Sequence, residues 1–196
     1  IIESNLLFGL RLLHSLGYDF FNKILLTQSY LELQKSKLID LYTQTKSIFA
    51  NELEKTIPDK IIKIYLYDTF GLSDKREKLI NIWLKKLILN KSVTIYSEKT
   101  KINLSSNKFI SNIITNINSI KPGKYEIRSN VEMTLTELFY FLKDITKSKS
   151  RMIIKKNKPV KIFQKHENLS EIINIKYTLD DFRIDIKKIL KKDIRF

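Results

Sequence analysis

Two short apolar runs, residues 23–27 (KILLT) and 60–67 (KIIKIYLY), flank a helical pattern at 41–56 that ends before Pro58. Unbroken apolar character over so few residues suits strands covered on both faces, as in a parallel sheet. Parallel neighbours need a crossover between them, and the intervening helix supplies it. Upstream, residues 1–16 place Ile2, Leu6, Leu10 and Leu13 near one helical face, with Leu7, Leu12 and Leu16 widening it. That spacing predicts a largely buried helix stopped by Gly17. Helix, strand, helix, strand is the α/β rhythm.

Beyond Gly71 the pattern is more mixed. Ser73 or Asp74 is expected to cap a helix from about 75 to 90, with Ile80, Trp83, Leu84, Leu87 and Ile88 at core spacing. A short strand follows at 93–96, then a polar helix at 109–117, a Pro-Gly turn at 122–123 and a strand at 124–128. Thr134 and Glu137 form a capping box. A loop is expected through 35–37, a basic loop at 147–161 around a strand at 152–154, and a closing helix at 178–191 with acids early and lysines late. No repeat or separating linker is seen.

The chain has 43% hydrophobic residues, enough for a real core, and its 196 residues fit one domain or a large part of one. No stretch approaches the ~18 apolar residues of a membrane span, and no basic region precedes the first apolar run. Neither an anchor nor a signal peptide is read, and the cytoplasm is the expected compartment. The absence of Cys excludes disulfides, Cys-ligated zinc and thiol nucleophiles. His14 and His166 do not make a metal site, no metal is expected, and neither histidine receives a role. A net charge of +15 raises the question of nucleic acid. The lysines, however, are scattered through every segment and alternate with Ile and Asn, so nucleic acid is not the expected partner. An anionic nucleoside diphosphate remains compatible with the charge.

Within helix 41–56, Tyr42 and Lys46 stand four residues apart and project from one face. An ammonium there favours the phenolate form, and such a Tyr can exchange a proton with a carbonyl. Ser29 closes the preceding apolar run, where its hydroxyl can reach the same substrate oxygen. Out of that context the pair would read as a half-buried aromatic beside a solvated lysine. No acidic partner for Ser29 is read from the sequence.

Ser29, Tyr42 and Lys46 together resemble the Ser-Tyr-Lys constellation of the short-chain dehydrogenase/reductases. Further segments, in order, resemble the extended branch of that superfamily, the NAD-dependent epimerase/dehydratases of nucleotide sugars. SNLLFGLRLL resembles the helix carrying a site Asn, here Asn5; TQSY the strand end with the catalytic Ser or Thr; LYTQTKSIFANEL the Tyr-x-x-x-Lys helix. YDTFGLSDKREKLI resembles the turn opening the sugar-nucleotide region, and KYTLDDFRIDIKKIL the closing helix. Among its members the likeness leans to CDP- or dTDP-linked deoxyhexose 4-ketoreductases and dehydratases such as the CDP-abequose synthases.

The resemblance implies the C-terminal part of a Rossmann-like doubly wound parallel sheet with a small mixed α/β substrate-binding region. Residues 1–70 would be the second half of the dinucleotide-binding fold and 71–196 an interleaved nucleotide-sugar region. It implies Ser29, Tyr42 and Lys46 as catalytic, Asn5, Tyr42 and Lys46 on NAD or NADP, and Asp68, Thr69 and Arg76 on the nucleotide-sugar substrate. It also implies a role in surface polysaccharide synthesis and leaves room for a homodimer. Two departures stand out. None of the four glycines forms a Gly-x-x-Gly-x-x-Gly phosphate turn. In the family that turn precedes the segment matching residue 1, so the chain is expected to be the C-terminal part of a longer enzyme. KINLSSNKF also carries Asn103 and Asn107 where the family has an acidic pair. The alternative reading is a non-catalytic truncated relative acting as a binding or interaction module.

Overall fold

The structure, a computed structural model, describes residues 1–33, 41–72, 74, 76–155 and 171–192. The expected loop at 35–37, the cap at Ser73, His166 and the second half of the basic loop lie outside the described residues. The chain divides into two compact units: Ile1–Tyr67, Asn112–Ile127 and His166–Ile173 form the first, and Asp68–Ser111, Arg128–Lys165 and Asn174–Phe196 the second.

In the first unit a π-helical turn, Glu3–Leu7, runs into helix α1, Phe8–Leu16. Gly17, at φ 78°, ends it in a backbone conformation that L side chains rarely adopt. Strand β1 (Ile24–Ser29), helix α2 (Leu41–Thr56) and strand β2 (Ile61–Leu66) follow. The strands pair in parallel from Ile24↔Ile61 to Ser29↔Leu66, with α2 as the connection. This is the arrangement the two apolar runs predict.

The remaining elements are β3 (Asp68–Phe70), α3 (Leu79–Ile88), β4 (Val93–Ile95), β5 (Lys101–Ser106) and α4 (Asn107–Thr115). After them come β6 (Gly123–Ser129), β7 (Glu132–Thr134), α5 (Leu135–Thr146), β8 (Met152–Ile154), β9 (Glu171–Ile175) and α6 (Leu179–Lys192). The largest sheet has the order β1-β2-β6-β9, and β6 continues the parallel pairing through Ile62↔Gly123 to Tyr65↔Glu126.

Leu13, Leu26, Ala50, Leu53 and Ile61 form the core of the first unit, with Phe21, Ile24, Phe49 and Ile57 packed around them. The opening helix departs from expectation. Leu13 is its one buried residue, while Ile2, Phe8, Leu12 and Leu16 are exposed. Periodicity identifies an apolar face but not what covers it, and here only the stripe through Gly9 and Leu13 meets the core. At Gly9 a Cβ would fall 2.4 Å from Phe49 Cζ, so glycine is what lets α1 approach α2. Lys63, central in β2 and 3% exposed, is paired with Glu54 at 2.5 Å and donates a hydrogen bond to Asn51 Oδ1 at 3.2 Å.

The second unit is mixed α/β. Strands β3 and β5 pair in parallel and β7 adds to β5 antiparallel, while β4 and β8 form a separate parallel pair. Its core is aromatic: Phe70 meets Phe182 edge-on at 5.2 Å, and Trp83 meets Phe139 at 6.5 Å. The capping box closes as expected, Thr134 accepting from the Glu137 N–H and Glu137 from the Thr134 N–H. Helix α3 begins at Leu79 rather than 75, because Asp74 does not cap it but holds a side-chain network of its own. The polar KINLSS segment, not foreseen as a strand, is β5. Its buried Asn103 exchanges two hydrogen bonds with the Ser129 backbone, at 2.9 and 3.0 Å. This Asn is a structural clasp.

Candidate functional site

Ser29 closes β1, at the edge where open parallel sheets receive ligands, and Lys46 of α2 reaches the same strand two residues earlier. Tyr42 occupies the first turn of α2 and is 41% exposed. Lys46, one turn on, lies 5.3 Å from the centroid of the Tyr42 ring, and its Nζ donates to the Thr27 carbonyl at 2.7 Å. Thr27 is two residues before Ser29 on the same strand. The helix spacing and the strand end therefore converge on one neighbourhood.

Asn5 sits in the π-helical turn, and its Nδ2 donates to Thr45 Oγ1 at 3.2 Å. Thr45 in turn donates to the Leu41 and Tyr42 carbonyls at 2.9 and 3.0 Å. The contact thus reaches the backbone of the first turn of α2. A widened turn of this type is a local departure that helices often reserve for functional positions.

Sequence reasoning missed Glu32. It lies in the 3₁₀ turn Tyr30–Leu33, and its carboxylate accepts from the Ser29 N–H and from Ser47 Oγ, both at 2.9 Å. Burial pushes Glu32 above the ordinary carboxylate value, although Ser29, Ser47, Lys46 and Lys63 oppose the shift. The available signal was an acid three residues after Ser29. Its second partner is 15 residues further along, so adjacency alone could not have assigned it. Tyr65, in β2, is pushed up to about 12 by burial and then by Glu32 and Glu54, which keeps it a neutral phenol. At the same strand ends, the Tyr30 and Tyr67 rings stack at 4.8 Å, and Tyr67 donates to the buried carboxylate of Glu126.

The second unit holds the other three expected residues. Asp68 and Thr69 open β3, and Lys78 Nζ donates to the Thr69 carbonyl at 2.8 Å and to its hydroxyl at 2.7 Å. Arg76, 63% exposed at its side chain, grips Asp74 through two hydrogen bonds of 2.7 Å. The Arg76 guanidinium holds the Asp74 carboxyl down at about 2. Asn81 Nδ2 braces the same loop by donating to the Asp74 and Arg76 carbonyls. Burial lowers Lys78 below the usual lysine value. Lys78 and Asp74 were not anticipated here, although their i,i+4 spacing was visible.

The fit to a nicotinamide dinucleotide is partial. Tyr42, Lys46 and Asn5 are the polar groups that could meet a ribose and nicotinamide. Gly9, Gly17 and Gly71 do not offer a pyrophosphate cradle: Gly9 is closed by Phe49, Gly71 by Asn107 with a Cβ distance of 2.9 Å, and Gly17 is a helix stop. Among the described residues, no three His, Cys, Asp or Glu side chains form a group that could hold a metal, and no helix is long and apolar enough to cross a membrane.

No family model matches this chain, and no curated protein does. Solved structures do. A UDP-glucose 4-epimerase with UDP-glucose from Thermotoga maritima superposes with a TM-score of 0.72 at 13% identity, over 99% of this chain and 71% of its own. A UDP-N-acetylglucosamine 4-epimerase from Methanobrevibacter ruminantium M1, in complex with UDP-N-acetylmuramic acid, gives 0.72 at 17% identity, over 98% and 69%. A GDP-mannoheptose C4 reductase from Campylobacter jejuni with NADP bound gives 0.66 at 12% identity, over 97% and 74%. The parallel sheet and its connections therefore have the Rossmann-like α/β fold shared by these solved structures.

Proposed function

We propose that this chain carries the proton-transfer residues of an NAD(P)-dependent oxidoreductase acting on a nucleotide-linked sugar or deoxysugar, of the 4-ketoreductase, epimerase or dehydratase type. The observation that carries the reading is Lys46, held by the Thr27 carbonyl at the end of β1 and lying over the Tyr42 ring. Similarity to the epimerase and reductase structures supports it at the level of fold.

In this reading Tyr42 gives a proton to the sugar carbonyl oxygen during reduction, or takes one from the hydroxyl in reverse. Lys46 holds the ribose, Ser29 orients the reacting oxygen, and Asn5 contributes to the cofactor side. The nicotinamide, when bound, supplies or accepts the hydride. Asp68, Thr69 and Arg76 are proposed as contacts of the nucleotide sugar. For Arg76 this requires its exposed guanidinium to share itself between Asp74 and a diphosphate. A CDP-linked deoxyhexose, a place in surface polysaccharide synthesis, a cytoplasmic setting and a homodimer belong to the same proposal.

The absent glycine-rich turn favours a second reading, a non-catalytic relative that binds without turnover. One experiment separates them: titration of NADH and NADPH fluorescence, with turnover of 4-keto nucleotide sugars, for the 196-residue chain and for the product of the complete reading frame that encodes it. The proposal expects poor cofactor binding by the chain alone and reduction by the reading-frame product. No turnover by either favours the binding module, and tight cofactor binding by the chain alone defeats the account of its missing cradle.

A further inference from the structure

Glu32 is tied to two elements at once. Its Oε1 accepts from the Ser29 N–H at the end of β1, and its Oε2 accepts from the Ser47 hydroxyl on α2, one residue past Lys46. Gln28, itself buried, adds a third tie. With its amide in the orientation that satisfies both ends, its nitrogen donates to the same carboxylate at 2.7 and 2.8 Å. Three donors from β1 and α2 thus converge on one carboxylate. A side chain needed only to fill this space would be apolar, since burying a carboxylate among fixed donors is a costly way to hold two elements together. What the carboxylate adds is geometry: directional bonds fix where Ser29 stands against the helix face of Tyr42 and Lys46.

We infer that Glu32 is a positioning residue, whose carboxylate sets the placement of Ser29 against the Tyr42–Lys46 face of α2. Its catalytic consequence rests on the oxidoreductase reading, whereas its structural consequence does not. Removing the tie frees the Ser29 turn from α2. A Gln at this position keeps an acceptor for the Ser29 N–H and can donate to Ser47 Oγ, so it preserves the tie without the charge.

The test has two arms. In the first, amide hydrogen exchange is followed in the 196-residue chain for Glu32→Ala, Ser47→Ala and Glu32→Gln. Glu32→Ala removes the acceptor of the Ser29 N–H and should speed exchange at Ser29 about tenfold; Ser47→Ala keeps that acceptor but releases it from α2 and should speed exchange there about threefold, with β2 amides such as Ile64 unchanged and Glu32→Gln near the parent. Unchanged protection of Ser29 in either alanine variant overturns the inference, whatever the activity. Should Glu32→Ala not fold, Ser47→Ala, which keeps the carboxylate, decides this arm.

In the second arm, the reading-frame product with Glu32→Ala should lose kcat about tenfold while both KM values stay within about twofold, and Glu32→Gln should restore most of the rate. Faster Ser29 exchange with an unchanged kcat overturns the positioning role. Absence of turnover in the unsubstituted enzyme defeats the oxidoreductase reading instead, and the exchange arm still decides the placement of Ser29.

Discussion

Replacing Gly9 with Ala sets two effects against each other at the contact that seats α1 on α2. Alanine in a helix interior is favoured over glycine by about 1 kcal/mol. Against this, the new Cβ would meet three atoms of the Phe49 ring at 2.4, 2.9 and 3.0 Å, well inside ordinary contact. Phe49 belongs to the packed shell around Leu13 and Leu53, so its ring cannot move without disturbing that cluster. Overpacking of this sort costs about 1–3 kcal/mol, which leaves Gly9→Ala destabilising by about 1 kcal/mol. In a Phe49→Leu background the ring atoms are gone, and the same substitution should stabilise by up to about 1 kcal/mol. The assay is a double-mutant cycle in urea, with exchange at α1 and α2 amides reporting on the first unit. A stabilising Gly9→Ala in the parent background would refute the reasoning, because Phe49 would then not be closing on Gly9.

Two further predictions follow from charge. Glu54 serves both Lys63 and Lys124, at 2.5 and 2.7 Å, so Glu54→Ala strands a buried ammonium and should cost about 3 kcal/mol, whereas Lys63→Met should be near neutral. Urea midpoints for the two variants check this, and equal losses would contradict it. In the second unit Asp74 is held at about 2, below its usual 3.8, first by Arg76. A lowered carboxyl contributes stability that is present above the usual value and lost as the pH falls through the lowered one. Screening at the exposed Arg76 leaves roughly 1–2 kcal/mol of it. Asp74→Asn should therefore be less stable than the parent at pH 6 and converge with it near pH 2; a gap that persists in acid would contradict the assignment.

The α/β core was legible because β1 and β2 are built on short apolar runs, 24–26 and 61–66 interrupted only by Lys63, a pattern that leaves few alternatives to a parallel pair with α2 between. The Tyr42–Lys46 proximity could be read for a related reason: helical spacing alone places the two side chains one turn apart, with no help from distant residues. What the sequence withheld was long-range polar pairing. Strand β5 has no apolar pattern to announce it and is explained once Asn103 is seen clasping the Ser129 backbone, and Glu32 reads as an ordinary acid until Ser47 is seen across the turn. The cap expected at Asp74 lost to bonds with Arg76, and the exposed face of α1 reflects the fact that periodicity does not identify a covering partner.

The central claim is that Tyr42 moves the proton that accompanies hydride transfer. It is tested by comparing the reading-frame product with its Tyr42→Phe variant in single-turnover oxidation of NAD(P)H by a 4-keto nucleotide sugar, alongside sugar binding measured at equilibrium. Deleting one hydroxyl leaves the ring over Lys46 and the helix intact, so binding should change by less than about threefold, while general acid–base catalysis is worth about 100- to 10,000-fold in rate. The account predicts a loss of hydride transfer in that range with sugar affinity retained. Undiminished hydride transfer in Tyr42→Phe would contradict it.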